Sequence, residues 1–275
     1  MAFSKAQLDE VAVILEQAGR AIVMPSFGKL SAAEIRAKTS AIDLVTDADE
    51  AAERFISDAL LTTFDNAIVI GEEAVAQGQT SLDTLMHAEL AFVIDPIDGT
   101  RNYASATPLF GIMVAVVERG EVAAGIIYDP VTERRYCAVK GQGAWAQWSD
   151  GSSHSLQVAQ PVALEKMEML ISTGHLDEPL KSQVNARLGC FSAVSMLLCA
   201  AHEYRLLAEG YRHGSFYRKL MPWDHAAGWL IHQEAGGYSA HFDGTPYRLD
   251  NLAGGLICAP DKASWEALHR ALITP

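Results

Sequence analysis

The stretch Ile94-Asp95-Pro96-Ile97-Asp98-Gly99-Thr100 constrains this chain more than any other. It follows a short apolar run, Ala91-Phe92-Val93-Ile94, that reads as a buried strand ending in a turn. Pro96 has no N–H to give to a sheet and Gly99 tolerates positive φ, so a regular helix cannot run straight through. Two carboxylates and a hydroxyl are therefore concentrated on a sharp bend at a strand end. Carboxylates this close repel unless one holds a proton or a cation sits between them. Taken alone, the stretch is equally well a polar Asp-Gly turn in which Asp95 caps a neighbouring group. Its partners elsewhere in the chain decide.

At 275 residues the chain can bury a full core as one large domain or two closely packed halves. Its 49% hydrophobic and 20% charged residues are those of a folded globular protein. With 21 Lys and Arg against 34 Asp and Glu, the net charge is −13. Such a surface disfavours nucleic-acid backbones and anionic membranes as partners. Cys137, Cys190, Cys199 and Cys258 are scattered, without Cys-x-x-Cys or zinc spacing, and are expected to be buried free thiols in a reducing compartment. Met1 to Lys5 has no signal-peptide core, and no segment has about 18 uninterrupted apolar residues to span a membrane. A cytoplasmic protein is expected.

Ser4-Lys5-Ala6-Gln7 has the form of a capping box, and Leu8, Val11, Leu15, Ala18 and Ile22 repeat at helical spacing until Pro25. Thr46 is placed to cap a second helix, with Asp49 three residues on and Ala52, Phe55, Ile56, Ala59, Leu60 and Phe64 on its apolar face. Asp47 and Asp49 are then in a first turn, where the helix dipole favours them. Ala67 to Ile70 is a short strand closed by Gly71-Glu72-Glu73, and residues 74–88 read as a surface loop. Phe110 to Val117, Glu121 to Tyr128 and Arg134 to Val139 form an antiparallel meander. The run 149–153, Ser-Asp-Gly-Ser-Ser, is the expected boundary between an N-terminal half, 1–150, and a C-terminal half, 151–275. In the second half, Met169 to Ile171 and Leu256 to Cys258 read as strands, and Pro179 to Arg187 and the segment after Trp223 as helices. Val194 to Ala201 is expected to be helical and Glu203 to Ala208 a strand. The alternation predicts a mixed α+β (α/β) architecture of packed layers.

Haloacid-dehalogenase phosphatases use Asp-x-Asp-Gly-Thr, but here two residues separate the aspartates. Asp95-Pro96-Ile97-Asp98-Gly99-Thr100 instead resembles the signature of the inositol monophosphatase family, the magnesium-dependent, lithium-sensitive phosphatases. Trp223-Asp224-His225-Ala226-Ala227-Gly228 resembles that family's second signature, although an aspartate at a helix start is ordinarily a cap and its small neighbours ordinarily allow close packing. Gly71-Glu72-Glu73 and the segment Asp43-Leu44-Val45-Thr46, preceded by Lys38, complete the set in the family's order. The resemblance runs from Lys38 to Pro260.

The resemblance implies a layered αβαβα sandwich and a homodimer acting on a small phosphate ester. It also implies two to three Mg2+ ions, which would answer the problem an acidic protein has with anionic phosphates. Magnesium prefers carboxylate, carbonyl and water oxygens. By resemblance, Glu72, Asp95, Thr100 and the Ile97 carbonyl hold one ion, Asp95, Asp98 and Asp224 a second, and Glu72 a weaker third. Thr100 and Asp49, helped by Glu72, would activate the attacking water. Asp98, Gly99, Thr100 and Lys38 would meet the phosphate.

Substrate is read elsewhere. After Arg187, the run Cys190-Phe191-Ser192 replaces the family's Gly-Ser-Ala, which leaves Ser192 and Ala193 as candidate contacts. Inositol phosphatases typically carry a ring-contacting glutamate seven residues before the aspartate of Trp-Asp. Counting back from Asp224 reaches Tyr217, followed by Arg218; a shifted loop would give the role to Glu209. Histidinol phosphate, fructose bisphosphate and 3′(2′),5′-bisphosphate nucleotides stay open beside inositol 1-phosphate. A non-catalytic regulatory protein on the same fold is the reading from a different class. No His-Glu-x-x-His, Gly-x-Ser-x-Gly or Walker glycine loop competes.

Overall fold

A computed structural model describes residues 3–38 and 44–274 of the chain. Residues 39–43 of the upstream segment, with Met1, Ala2 and Pro275, lie outside the described residues.

The central layer is a seven-stranded sheet in the order Ile68–Gly71, Ala91–Asp98, Gly111–Glu118, Glu121–Asp129, Arg134–Val139, Ala144–Trp148, Ser153–Ser155. The first pair is parallel and the rest antiparallel. The expected meander is present, and the sheet continues through Ser153–Ser155, past the boundary expected at residue 150. All eight residues of Ala91–Asp98 are buried, as a strand whose sheet is covered on both faces requires.

One face of this sheet is covered by helices Lys5–Ala18 and Asp47–Thr63, through Leu8, Leu15, Ile56 and Leu60 against Phe92, Val114 and Ile126. Ser4 forms the capping box with Gln7 at the start of the first helix. The other face carries helices Ala200–Ala208 and Pro222–Glu234. Behind them lies a five-stranded sheet in the order Ala193–Ser195, Glu168–Ile171, Gly214–Tyr217, Leu256–Ala259, Tyr238–Ala240. Helices Leu180–Arg187 and Lys262–Leu272 close the outer side of that sheet. The result is the αβαβα sandwich.

Small residues set how closely the middle helices approach. A Cβ on Gly125 would lie 2.8 Å from the Ala227 backbone, and one on Gly228 would lie 2.1 Å from the Tyr204 ring. Ala226, Ala227 and Gly228 are therefore packing residues as well as neighbours of Asp224. Gly228→Ala is expected to cost about 1–3 kcal/mol of stability through overpacking, read as a lower urea midpoint at constant slope. An unmoved midpoint would contradict this close approach.

Two assignments in the second half are reversed. Ala193–Ser195 is an edge strand and Ala200–Ala208 is the helix. Met196 is 53% exposed and Leu198 has φ +56°, so the apolar run 194–201 is not one buried face. Residues 74–88 are also more ordered than a plain loop, with helix Glu72–Ala76 and a 3-10 segment Leu82–His87. Cys137, Cys199 and Cys258 are buried free thiols, but Cys190 is exposed.

Candidate active site

The Asp95 bend is a register shift in the ladder to strand Gly111–Glu118. Asp95 pairs with Met113 and Asp98 with Gly111, so the strand runs on past Ile94 to Asp98, and Pro96 sits where no ladder N–H is needed. The Ile97 N–H donates to Asp95 Oδ1 at 3.1 Å. Gly99 then takes φ +87°, and a Cβ there would meet the Leu109 carbonyl at 2.8 Å. That reversal starts the short helix Thr100–Ala104 with the Thr100 side chain pointing back. Its hydroxyl lies 3.0 Å from the Ile97 carbonyl and 3.1 Å from Asp49 Oδ1.

Asp49 serves two purposes at once. Its Oδ2 accepts from the Thr46 N–H at 2.9 Å and the Thr46 hydroxyl at 2.5 Å, which is the capping box of helix Asp47–Thr63. Its Oδ1 faces Thr100. Burial pushes its pKa up to about 7, against the lowering effect of the Thr46 hydrogen bonds.

Glu72 and Glu73 open helix Glu72–Ala76. The N–H groups of Glu73 and Ala74 donate to the two oxygens of Glu53, both at 2.8 Å, which fixes the direction of that turn. A Cβ on Gly71 would lie 2.2 Å from the Glu53 carboxyl carbon, so a larger residue there would displace that carboxylate. Lys38 donates to Glu72 at 2.7 Å and to Glu73 at 2.6 Å. Burial lowers the Lys38 pKa, but Glu72 and Glu73 more than offset it, and the net shift is upward. Glu73 is pushed up to about 8 by burial and by the charge of Glu72.

Asp224 arrives from the start of helix Pro222–Glu234. One oxygen each of Glu72, Asp95 and Asp224 lie within 4.8 Å of one another. Asp98 is held beside them by the Ala201 N–H at 2.6 Å and the Cys199 thiol at 2.9 Å. Burial, then the charges of Glu72 and the other aspartates, raises the pKa of Asp95 well above the carboxylate range. Burial, then Glu72 and Asp98, does the same for Asp224. Asp98 rises to about 6, again chiefly through burial. Clustered, desolvated oxygen donors that raise one another in this way fit a hard divalent cation.

Glu72, Asp98 and Asp224 line a cavity of about 740 Å3 together with Lys38, Tyr217 and Arg218; Asp95, Asp49 and Thr100 are not among its lining residues. Ser192 and Ala193 do not line it. Both are exposed, and Ala193 begins the edge strand opposite Glu168. This segment reaches the cavity at Leu198, Cys199, Ala200 and Glu203, which stand where Ser192 and Ala193 were expected. Glu209 is not a lining residue either; it is bound to Arg134 at 2.8 Å and to Arg205 at 3.2 Å. Sequence reasoning missed Glu53, whose role needs the three-dimensional meeting of helix and strand. It also missed Cys199, for which the only local signal was its place just before a helix start.

A model described as the inositol monophosphatase family matches residues 4–274. A fructose-1,6-bisphosphatase/inositol-1-monophosphatase of Aquifex aeolicus is 28% identical over 90% of this chain and 89% of its own length. A Nus factor SuhB of Xylella fastidiosa is 31% identical over 74% of this chain and 71% of its own. A solved Thermotoga maritima IMPase superposes with a TM-score of 0.83 at 24% identity, covering 97% of this chain and 96% of that one, and so shares the fold.

Proposed function

This chain belongs to the inositol monophosphatase family of phosphoric monoester hydrolases, and from that premise we propose that it is a magnesium-dependent phosphomonoesterase. Its substrate would be a small soluble phosphate ester of the inositol 1-phosphate kind, attacked by water without a phosphorylated residue. The observation that carries this is the grouping of Glu72, Asp95 and Asp224 oxygens within 4.8 Å, beside the Thr100–Asp49 pair.

Glu72, Asp95, the Ile97 carbonyl and Thr100 would hold one ion, Asp95, Asp98 and Asp224 a second, and Glu72 would contribute to a third. Bound there, magnesium would neutralise phosphate oxygens, acidify water and align the attacking and departing oxygens. The residues do the rest. Thr100 Oγ, hydrogen-bonded to Asp49 Oδ1, provides the route by which the proton of the attacking water leaves, with Glu72 assisting. Lys38 keeps Glu72 and Glu73 together, and the backbone N–H groups of Gly99 and Thr100 face phosphate oxygens.

Attack at phosphorus forms the water-derived P–O bond and breaks the ester P–O bond, giving inorganic phosphate and the alcohol. A homodimer in the cytoplasm, inhibited by lithium, completes the proposal. Among the described residues no helix is long and apolar enough to cross a membrane, and the four cysteines are free. A phosphate-release screen with magnesium across inositol 1-phosphate, histidinol phosphate, sugar bisphosphates and 3′-phosphonucleotides tests it. Turnover should need millimolar magnesium and fall under lithium. Full activity in excess EDTA would sink the proposal.

The Xylella relative's name favours a second reading, a regulatory protein on this fold. That reading has no use for a complete set of ligands, and all six proposed ligand residues are in place. The charge of −13 also disfavours RNA.

A further inference from the structure

Arg101, Arg218 and Lys219 line the same cavity as the carboxylates. In a chain with 34 acidic residues, most arginines on the surface find one: Arg134 meets Glu209, Arg135 meets Asp9 and Arg248 meets Asp250. Arg101, Arg218 and Lys219 make no ion pair among the described residues. Their charges are thus left facing the cavity, while Lys38, the fourth cation on its wall, is committed to Glu72 and Glu73.

The segment that carries two of them is held in place. Strand Gly214–Tyr217 ends there, paired with Leu256–Ala259. Beyond it, an Arg218 guanidinium N–H donates to the Ala253 carbonyl. The Leu220 N–H donates to the Leu252 carbonyl at 3.0 Å. His225 Nε2 lies 2.9 Å from the Lys219 carbonyl, and its Nδ1 lies 3.0 Å from the buried Tyr204 hydroxyl. One bond to a carbonyl leaves the other guanidinium donors of Arg218 free for a ligand. A cationic segment fixed before binding loses little entropy when an anion arrives. At about 740 Å3 the cavity is in the upper part of the range for small-molecule sites, with room beyond a minimal phosphate ester.

We propose that Arg218 and Lys219, with Arg101 lining the same cavity, form a subsite for a second anionic group of the substrate. The preferred substrate is then a phosphate ester that also bears a phosphate or a carboxylate. Tyr217 puts an uncharged side chain where a ring-contacting glutamate was expected, although Glu203 also lines the cavity. This rests on the phosphatase reading above. An arginine fork suits either oxyanion bidentately, and a lysine adds a point charge.

The test compares kcat and KM for fructose 1,6-bisphosphate, 3-phosphoglycerate, inositol 1-phosphate and p-nitrophenyl phosphate in the wild type, Arg218→Ala, Arg218→Lys and Lys219→Ala. The first compound offers a second phosphate, the second a carboxylate, and the last two neither. In the wild type, kcat/KM for at least one of the first two should exceed that for inositol 1-phosphate. In Arg218→Ala and in Lys219→Ala, that preference should fall at least ~10-fold, mainly through KM, as expected for loss of a charge-assisted bond. Arg218→Lys should recover part of it. Because Arg218 also holds Ala253, the exposed Lys219 supplies the variant that does not disturb the loop. Preference for inositol 1-phosphate in the wild type, or equal ratios in wild type and variants, overturns the subsite alone. Failure to hydrolyse any of the four, or any ester of the screen above, with magnesium overturns the phosphatase reading and the subsite with it.

Discussion

Asp95→Asn is expected to lower kcat by at least ~10³-fold at saturating magnesium, about 4 kcal/mol of transition-state stabilisation, without unfolding the protein. Asp95 is the carboxylate shared between the two proposed ligand sets, and it is buried where its strand bulges. Asparagine has the same shape, and its amide oxygen can still accept the Ile97 N–H. The charge is what is lost. In the absence of cation that charge is repelled by Glu72, Asp98 and Asp224. The melting temperature of Asp95→Asn in EDTA should therefore equal or exceed that of the wild type. Magnesium should reverse the order. At a hundredfold excess over its Kd, a ligand of the native state adds about 2.7 kcal/mol, or roughly 5 °C in a chain of this size. The wild type should show that rise and the variant should not. Asp224→Asn, which serves one proposed ion, should follow closely in activity. An Asp95→Asn protein that keeps both turnover and the magnesium-induced rise would remove the basis of the proposed mechanism.

What the sequence revealed depended on whether the decisive contacts were local. The meander from Gly111 to Val139 was legible because strand alternation and tight turns are written within a few residues. Thr46 and Asp49 were legible as a capping box for the same reason, and the structure adds that the second oxygen of Asp49 turns to Thr100. The region from Ser192 to Ala208 was misread. Ala201, Tyr204, Leu207 and Ala208 are buried at helical spacing, yet the richer apolar run before them drew the assignment. That run follows the sheet edge and then turns inward at Leu198, where Cys199 and Ala201 donate to Asp98, a partner about a hundred residues away. The error carried Ser192 and Ala193 into the proposed site and left Cys199 out of it. Glu53 was invisible for a related reason. Its partners are the N–H groups of residues twenty positions later, brought to it by the parallel pairing of Ile68–Gly71 with Ala91–Ile94.

Thr100→Ala is expected to lower kcat by ~10²-fold or more, as for loss of a general acid–base path, with a small change in stability. The Thr100 hydroxyl joins Asp49 to the Ile97 carbonyl, and Asp49 keeps its other partners when that hydroxyl is removed. Asp49 retains the Thr46 N–H and hydroxyl, so the start of helix Asp47–Thr63 stays capped. The lost hydrogen bond is worth about 1 kcal/mol, or roughly 2–4 °C in melting temperature. Activity and stability should therefore separate in this variant. Thr100→Ser restores a hydroxyl on the same backbone and should recover most of kcat. Asp49→Asn should damage both properties, because it weakens the helix cap as well as the link to Thr100. If attack is by water, single-turnover reactions in ¹⁸O-labelled water should place one label in the released phosphate, and rapid quench should trap no phosphorylated residue. A trapped phosphoenzyme in the wild type, or a Thr100→Ala protein with unaltered kcat, would show that the Thr100–Asp49 pair is only a structural tie between a strand end and a helix cap.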